Sequence, residues 1–389
     1  MRKICILTGT RADYGLLRKL MLDVESSTEA ILQLVVSGTH LSDDHGVTSS
    51  EISADSLIPA AEIPVWSGDD SPVGAANDFG IAVGAFARSL STLEPDVVVV
   101  LGDRLEALAM ATAAMITSVP IAHIHGGEIT EGAMDDAMRH AITKLSYLHF
   151  VSTEEHRQRV IQLGEEPSRV FTLGSPVVDA LASLELLDRA ELVSRFPIRL
   201  EGPTALVTFH PAVMDILPAN ELINNLLTAL DESPELHVII TGTNSDVGSV
   251  EVRAAIAKFV DEHTNRVDYV ESFGQLGYLS TMAQSSVVIG NSSSTVLEAP
   301  VLGIPSVLIG DRQKGRPVAA SVIVPEPTKD AIARAIHQAI TSDFRALSRA
   351  TPQPFGRPGF ARRTLRQLLE GEVPRPPRKR FWDLDRDKS

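Results

Sequence analysis

Short apolar runs, many of them rich in β-branched residues, recur along this chain, and most give way at once to glycine and polar residues. The first five lie at residues 4–7, 32–36, 97–101, 121–124 and 148–151. Runs of four or five residues without polar alternation suit strands buried on both faces, the condition of a parallel sheet covered by helices. Helical stretches separate the runs, which predicts an α/β arrangement with crossovers long enough to keep the strands parallel. The pattern restarts at 205–209 and continues through 238–240, 267–270, 287–289, 306–309 and 322–324, with a helix over 221–230. A chain of 389 residues exceeds what one core ordinarily serves, and the restart divides it into two Rossmann-like units. The expected boundaries are 1–187 for the first, 188–203 for a connector ending in Glu201-Gly202-Pro203, and 204–370 for the second, closed by a helix over 362–369. Residues 371–389, basic and proline-containing, read as a loosely ordered tail.

The charge balance narrows the partners. With 35 Lys and Arg against 50 Asp and Glu, the formal net charge is -15, so nucleic acid and acidic membranes, which demand a broad basic face, are not expected partners. An anionic ligand must then be held by a local cluster of cations. The single cysteine, Cys5, allows neither a disulfide framework nor a thiolate metal site and suggests a reducing compartment. The first apolar stretch is too short for a signal peptide and no run approaches a membrane span. Cytoplasm is the expected location.

In open parallel sheets ligands bind beyond the carboxyl ends of the strands, so the residues after each run carry the functional reading. The first run ends in Thr8-Gly9-Thr10-Arg11, where Arg11 can reach an anion near the next helix or can be an ordinary surface arginine. The third ends in Gly102-Asp103-Arg104; Asp103 there suits a base, a ribose ligand or a helix N-cap. His123 and His125 alternate along the fourth, so both fall on one face, with His125 nearer the ligand. Two histidines without a clear third ligand make a poor metal site, and no metal is expected; a buried, hydrogen-bonded histidine is the plain alternative. Asp135 and Asp136 open a helix and stand four residues before Arg139 and His140, pairs that suit that spacing, with Asp135 a candidate acid or base. His210 follows the first strand of the second set and precedes Pro211.

Gly290-Asn291-Ser292-Ser293-Ser294, between a strand and an expected helix, offers backbone N–H groups, hydroxyls and a positive helix end to a diphosphate. Glu298 would follow where a carboxylate can accept from ribose hydroxyls or simply favour the helix start. The segment Gly310-Asp311-Arg312-Gln313-Lys314-Gly315-Arg316 gathers three cations in an acidic protein, a local anion clamp or a solvated loop.

Taken in order, TGTRADYG at 8–15, HLSDDHG at 40–46, GDRLEALA at 102–109, HIHGGE at 123–128, DDAMRHAITK at 135–144, GNSSS at 290–294 and GDRQKGR at 310–316 resemble the hydrolysing UDP-N-acetylglucosamine 2-epimerases of sialic-acid and legionaminic-acid synthesis. The resemblance spans most of the chain. It implies two Rossmann-like domains of glycosyltransferase-B type with the ligand in the interdomain cleft, a UDP site mainly on the second domain, and a homodimer or homotetramer built through the first. It places nucleotide and phosphate contacts on Arg11, Arg104, Ser292, Ser293, Glu298 and Arg312, and chemistry on Asp103, His125, Asp135 and His210. Animal relatives carry glutamate where this chain, like the bacterial members, has His125, so the role at that position is not copied. The implied reaction turns UDP-N-acetylglucosamine and water into N-acetylmannosamine and UDP through a glycal, with no cofactor; UDP-N,N'-diacetylbacillosamine is the alternative substrate. A UDP-sugar glycosyltransferase and a noncatalytic sugar-nucleotide sensor are the more distant alternatives.

Overall fold

The computed structural model describes all residues except 42–48, 66, 70, 130–133, 212–214, 216, 245–247, 352–353 and 385–389. The chain divides into two units, Met1–Ser183 with Phe355–Ser389, and Leu184–Pro354. In the first the order is β1 (Arg2–Thr8), α1 (Arg11–Glu25), β2 (Ala30–Ser37), α2 (Ser49–Ala54), β3 (Ala61–Ile63), α3 (Pro72–Leu93), β4 (Val97–Leu101), α4 (Leu105–Ile116), β5 (Ile121–Ile124), α5 (Met134–Leu145), β6 (Leu148–Val151), α6 (Glu154–Gln162), β7 (Val170–Thr172) and α7 (Pro176–Ala182). The second runs α8 (Arg189–Arg195), β8 (Thr204–Thr208), α9 (Ala219–Asp231), β9 (His237–Thr241), α10 (Ser249–Glu262), β10 (Val267–Val270), α11 (Gly274–Gln284), β11 (Val287–Gly290), α12 (Glu298–Val301), β12 (Ser306–Leu308), β13 (Val322–Ile323), α13 (Lys329–Ala339) and α14 (Ser342–Ala350). A last helix, α15 (Phe360–Glu370), lies in the first unit.

Among the described residues the first unit holds a parallel sheet in the order β3-β2-β1-β4-β5-β6-β7 and the second one in the order β10-β9-β8-β11-β12-β13. The expected α/β class and doubled architecture are therefore observed. The reason is visible in β4, where Val97, Val98, Val99, Val100 and Leu101 are all buried between two apolar layers, one containing Leu17, Leu20 and Phe150 and the other Phe86, Met110 and Ile142. Each such side chain contributes about 1.5–3 kcal/mol on burial. Strand order reverses between β1 and β4, and again between β8 and β11. Crevices open at such switch points, at the carboxyl edge.

Two expected boundaries shift. Residues 188–203 are not a free connector: Asp188 caps α8 through a reciprocal capping box with Glu191, and Leu192, Ile198 and Leu200 are core residues of the second unit. The second unit also ends before α15, because Phe360, Ala361 and Leu368 bury against α1 in the first unit's core. The described tail is held as well. Lys379 donates to both carboxylate oxygens of Glu165 at 2.8 and 2.7 Å, and the Trp382 N–H donates to the Gly164 carbonyl at 2.9 Å. No described helix is long and apolar enough to cross a membrane.

Candidate functional site

In the first unit the loops leaving β1, β2, β4 and β5 converge. Gly38, with φ +59, packs so closely on the Gly9 carbonyl and the Glu106 carboxylate that a Cβ there would collide with both, which is why glycine is needed. Gly102 follows β4 with φ +71 and delivers Asp103. The Asp103 carboxylate accepts from the Arg139 guanidinium, while Arg104 occupies the N-cap position of α4; capping is therefore not what Asp103 does. Arg139 is buried and also donates to the Glu128 carbonyl at 3.0 Å and to Asp136 at 3.2 Å. The expected pairing of Arg139 with Asp135 gives way to these, because a buried guanidinium must satisfy its donors among inward acceptors. The pairing of Asp136 with His140 stands at 3.4 Å. Asp135 is exposed and lines a cavity of about 300 Å³ together with Asp103, Arg104 and Glu106.

The two strand histidines have different fates. His123 is fully buried, its Nε2 2.7 Å from the Gly102 carbonyl and its Nδ1 3.1 Å from the Thr143 hydroxyl. Burial pushes its pKa down to about 3, so it is a neutral brace for the turn that carries Asp103. His125 leaves the strand with φ +67, a left-handed backbone that costs free energy for a side-chain-bearing residue and is commonly kept at functional positions. Its Nε2 lies 3.3 Å from the Ser175 hydroxyl, and its Nδ1 lies 3.8 Å from Glu128. Glu128 in turn accepts from Ser152 at 3.0 Å and lies 4.0 Å from His156, whose pKa burial pushes down. Glu128, Ser175 and Arg139 were not among the expected site residues. The only sequence signal for Ser175 is its N-cap position before Pro176 at the start of α7. Arg11 and Arg104 sit at the starts of α1 and α4 and are exposed; Thr10 caps α1 by accepting from the Asp13 N–H at 3.2 Å. The segment at 42–46, within HLSDDHG, lies outside the described residues.

The second unit builds its own cluster at its switch point. Gly290, with φ +137, has no room for a Cβ beside the Thr208 carbonyl. Buried Asn291 then locks onto His210: its Oδ1 accepts from the His210 N–H at 2.8 Å and its Nδ2 donates to the His210 carbonyl at 2.7 Å. The His210 Nδ1 accepts from the Asn244 N–H at 3.1 Å, which fixes the neutral ring with its proton on Nε2. The serine run does not open a long helix as expected. Ser292 caps a single 3₁₀ turn, Ser293–Thr295, and α12 after it is only four residues long, so little macrodipole reaches an anion there. What remains are the turn's N–H groups and hydroxyls. Glu298 begins α12, and burial raises its pKa, while the Arg316 charge opposes the rise; its Oε2 is buried and meets no donor among the described residues. Such an orphaned acceptor suits a ligand diol. Burial raises the Tyr278 pKa, and hydrogen bonds to Thr208, Ser294 and Ser292 oppose this. Arg312 donates to the Asn291 carbonyl at 3.2 Å, beside Gln313 at 2.9 Å, which lays the cationic loop against the serine turn. Among the described residues no group of three or more His, Cys, Asp or Glu side chains is placed to hold a metal ion.

The expected residues thus form two clusters. Asp103, Arg104 and Asp135 share one cavity in the first unit, with His125 just after β5 and Arg11 at the start of α1. His210, Ser292, Ser293, Glu298 and Arg312 gather in the second.

Comparison with known proteins identifies the family. The family model described as UDP-N-acetylglucosamine 2-epimerase matches residues 23–369. A relative from Campylobacter jejuni, GDP/UDP-N,N'-diacetylbacillosamine 2-epimerase (hydrolyzing), is 35% identical over 81% of this chain and 82% of its own. UDP-N,N'-diacetylbacillosamine 2-epimerase (hydrolyzing) from Legionella pneumophila is 33% identical over 87% of this chain and 89% of its own. The crystal structure of UDP-GlcNAc 2-epimerase from Neisseria meningitidis bound to UDP-GlcNAc superposes with a TM-score of 0.79 at 20% identity, covering 95% of this chain and all of that one, a likeness of fold. By the family model and by these relatives, this chain belongs to the UDP-N-acetylglucosamine 2-epimerase family, on its hydrolysing branch.

Proposed function

We propose that the protein converts a UDP-linked 2-acetamido sugar and water into UDP and the free sugar of manno configuration, by elimination followed by hydration. The observation that carries the reading is the pair of carboxylates, Asp103 and Asp135, on one cavity, only one of them neutralised by an ion pair among the described residues. A carboxylate held by an arginine is a weakened base, so Asp135 is assigned the proton on carbon 2 and Asp103 the orienting of the sugar. As Asp135 takes that proton, the electron pair of the C2–H bond forms the C1–C2 double bond, and the bond from C1 to the diphosphate oxygen breaks. UDP leaves against Arg312 and the serine turn, its ribose on Glu298 and its developing charge met by fixed donors. Hydration then places water oxygen on C1 and a proton on the opposite face of C2, with His125 and His210 as the remaining proton carriers.

Between the two substrates the family resemblance allows, the diacetamido sugar is favoured by the names of the two relatives at 33–35% identity. Reaction in deuterium oxide tests the chemistry. Released UDP and free manno sugar, one deuterium at carbon 2 per UDP, is the expected result. Unlabelled gluco sugar would mean simple hydrolysis, and labelled sugar still on UDP would mean epimerisation without release; either overturns the proposal.

A further inference from the structure

The cavity shared by Asp103, Glu106 and Asp135 holds a further carboxylate that the reaction does not use. Asp78, on α3, is only 6% exposed and lines the same cavity as Asp103 and Asp135. Its Oδ2 accepts from the Ser67 N–H at 3.1 Å. Its Oδ1 is buried and meets no donor among the described residues. A carboxyl oxygen that carries no proton can only accept, and leaving it without a donor in a buried place is costly. Oδ1 is therefore an acceptor in want of a donor on a residue that lines the cavity, and a turn of the carboxyl group would present it to an N–H or O–H that enters there.

The walls say which. Val65, Phe79 and Met138 line the cavity beside Asp78, so the donor arrives with apolar surface attached. A hydroxyl donates but brings no such surface. An acylamino group does both, since its N–H can meet Oδ1 while its methyl packs on Phe79 and Val65. Burying that methyl against them is favourable in itself. About 300 Å³ is at the lower end of small-molecule sites and is room for one substituted hexose. The acetamido group on carbon 2 neighbours the reacting atoms and is common to both candidate substrates; a second one, on carbon 4, is what sets the diacetamido sugar apart.

We infer that Asp78 and the apolar wall beside it form a subsite for an acylamino group on carbon 4 of the sugar, with Asp78 as its hydrogen-bond acceptor and the source of preference over a 4-hydroxyl. This rests on the epimerase reading above.

The test uses the whole protein with UDP-N-acetylglucosamine and UDP-N,N'-diacetylbacillosamine, each followed by UDP release. The unaltered protein should prefer the diacetamido substrate by at least about tenfold in kcat/KM, the scale of a matched apolar and hydrogen-bonding contact. In Asp78→Asn the amide must keep its oxygen toward the Ser67 N–H, so its NH₂ points into the cavity and opposes the substrate's N–H. The diacetamido kcat/KM should fall at least about thirtyfold, mostly through KM, while that for UDP-N-acetylglucosamine changes less than about threefold. Asp78→Ala, which removes the acceptor without adding a donor, should fall between. UDP affinity and the unfolding temperature of Asp78→Asn should match those of the parent. Equal losses on both substrates, or a parent that prefers the 4-hydroxyl sugar, overturns the subsite and leaves the epimerase reading intact. A parent that releases UDP from neither substrate overturns the epimerase reading itself.

Discussion

A side chain's neighbours decide what its chemistry is available for, and Asp103 is the clearest case. From its place after a strand it could have capped α4, but the N-cap position falls to Arg104 and the carboxylate reaches Arg139, 36 residues on in sequence. Long-range partnerships of this kind leave no trace in local spacing, which is why Arg139 was expected on Asp135. The same applies to His123, which alternates with His125 in the sequence yet braces the Gly102 carbonyl as a buried neutral ring. Asp103→Asn keeps the shape but removes the charge that faces Arg139. Turnover should fall about a hundredfold, the scale on which a misplaced substrate slows a reaction. Stability should fall by about 1–3 kcal/mol because the buried guanidinium loses its charged acceptor. Steady-state kinetics beside thermal unfolding separates the two effects. A variant that loses stability but keeps its turnover would make Asp103 a structural anchor only.

Among the elements, the interior strands were legible because five buried residues in a row admit few other structures. The edges were not. β3 and β7 are three residues each, too short to stand out as apolar runs. The segment after β11 was read as the start of a longer helix, and the residues that prevent this are local. Ser292 and its neighbours satisfy backbone groups within a turn, and Gly303, with φ +69, stops α12 in the left-handed conformation that ends helices. Phosphate binding here must then come from individual N–H and hydroxyl donors rather than a macrodipole. Replacing Ser292 and Ser293 together by alanine should weaken UDP binding by about tenfold, as two modest hydrogen bonds would, and Glu298→Gln should weaken it comparably while leaving the unfolding temperature at or above that of the parent, since burial disfavours its charge. Calorimetric titration with UDP reads both. Unchanged affinity in the folded double variant would move the phosphates elsewhere.

At the scale of the molecule, the chain enters the first unit, builds the second and returns. Restarting strand patterns made the two units legible, but the return was not, because a helix with one apolar face can close either core. Its destination is set by pairs far apart in sequence: Asp179 accepts from the Ala361 N–H at 2.7 Å, and the segment beyond α15 reaches Glu165. There Lys144, Lys379 and buried His149 surround one carboxylate. Burial alone would raise the Glu165 pKa, but hydrogen bonds and charges from His149, Lys144 and Lys379 outweigh it and hold the value at about 2, whereas burial pushes His149 below its ordinary range. The sign of the pH dependence follows. A carboxylate with a lowered folded pKa gives stability that is full above the unfolded value near 4.5 and is lost as pH falls toward 2; a histidine kept neutral in the fold takes up a proton on unfolding below about 6.5, which also favours the unfolded chain in acid. Lys379→Met removes one charged donor from Glu165 and should lower stability at pH 7 by about 2 kcal/mol. The deficit should shrink as the pH falls below about 4 toward 2, because Glu165 in the variant, short of one partner, takes up a proton in the fold before the parent's does. Thermal unfolding of parent and variant across that range decides the matter. A deficit that stays constant with pH would show that the tail is held by Phe381 and Trp382 packing rather than by the Glu165 ion cluster.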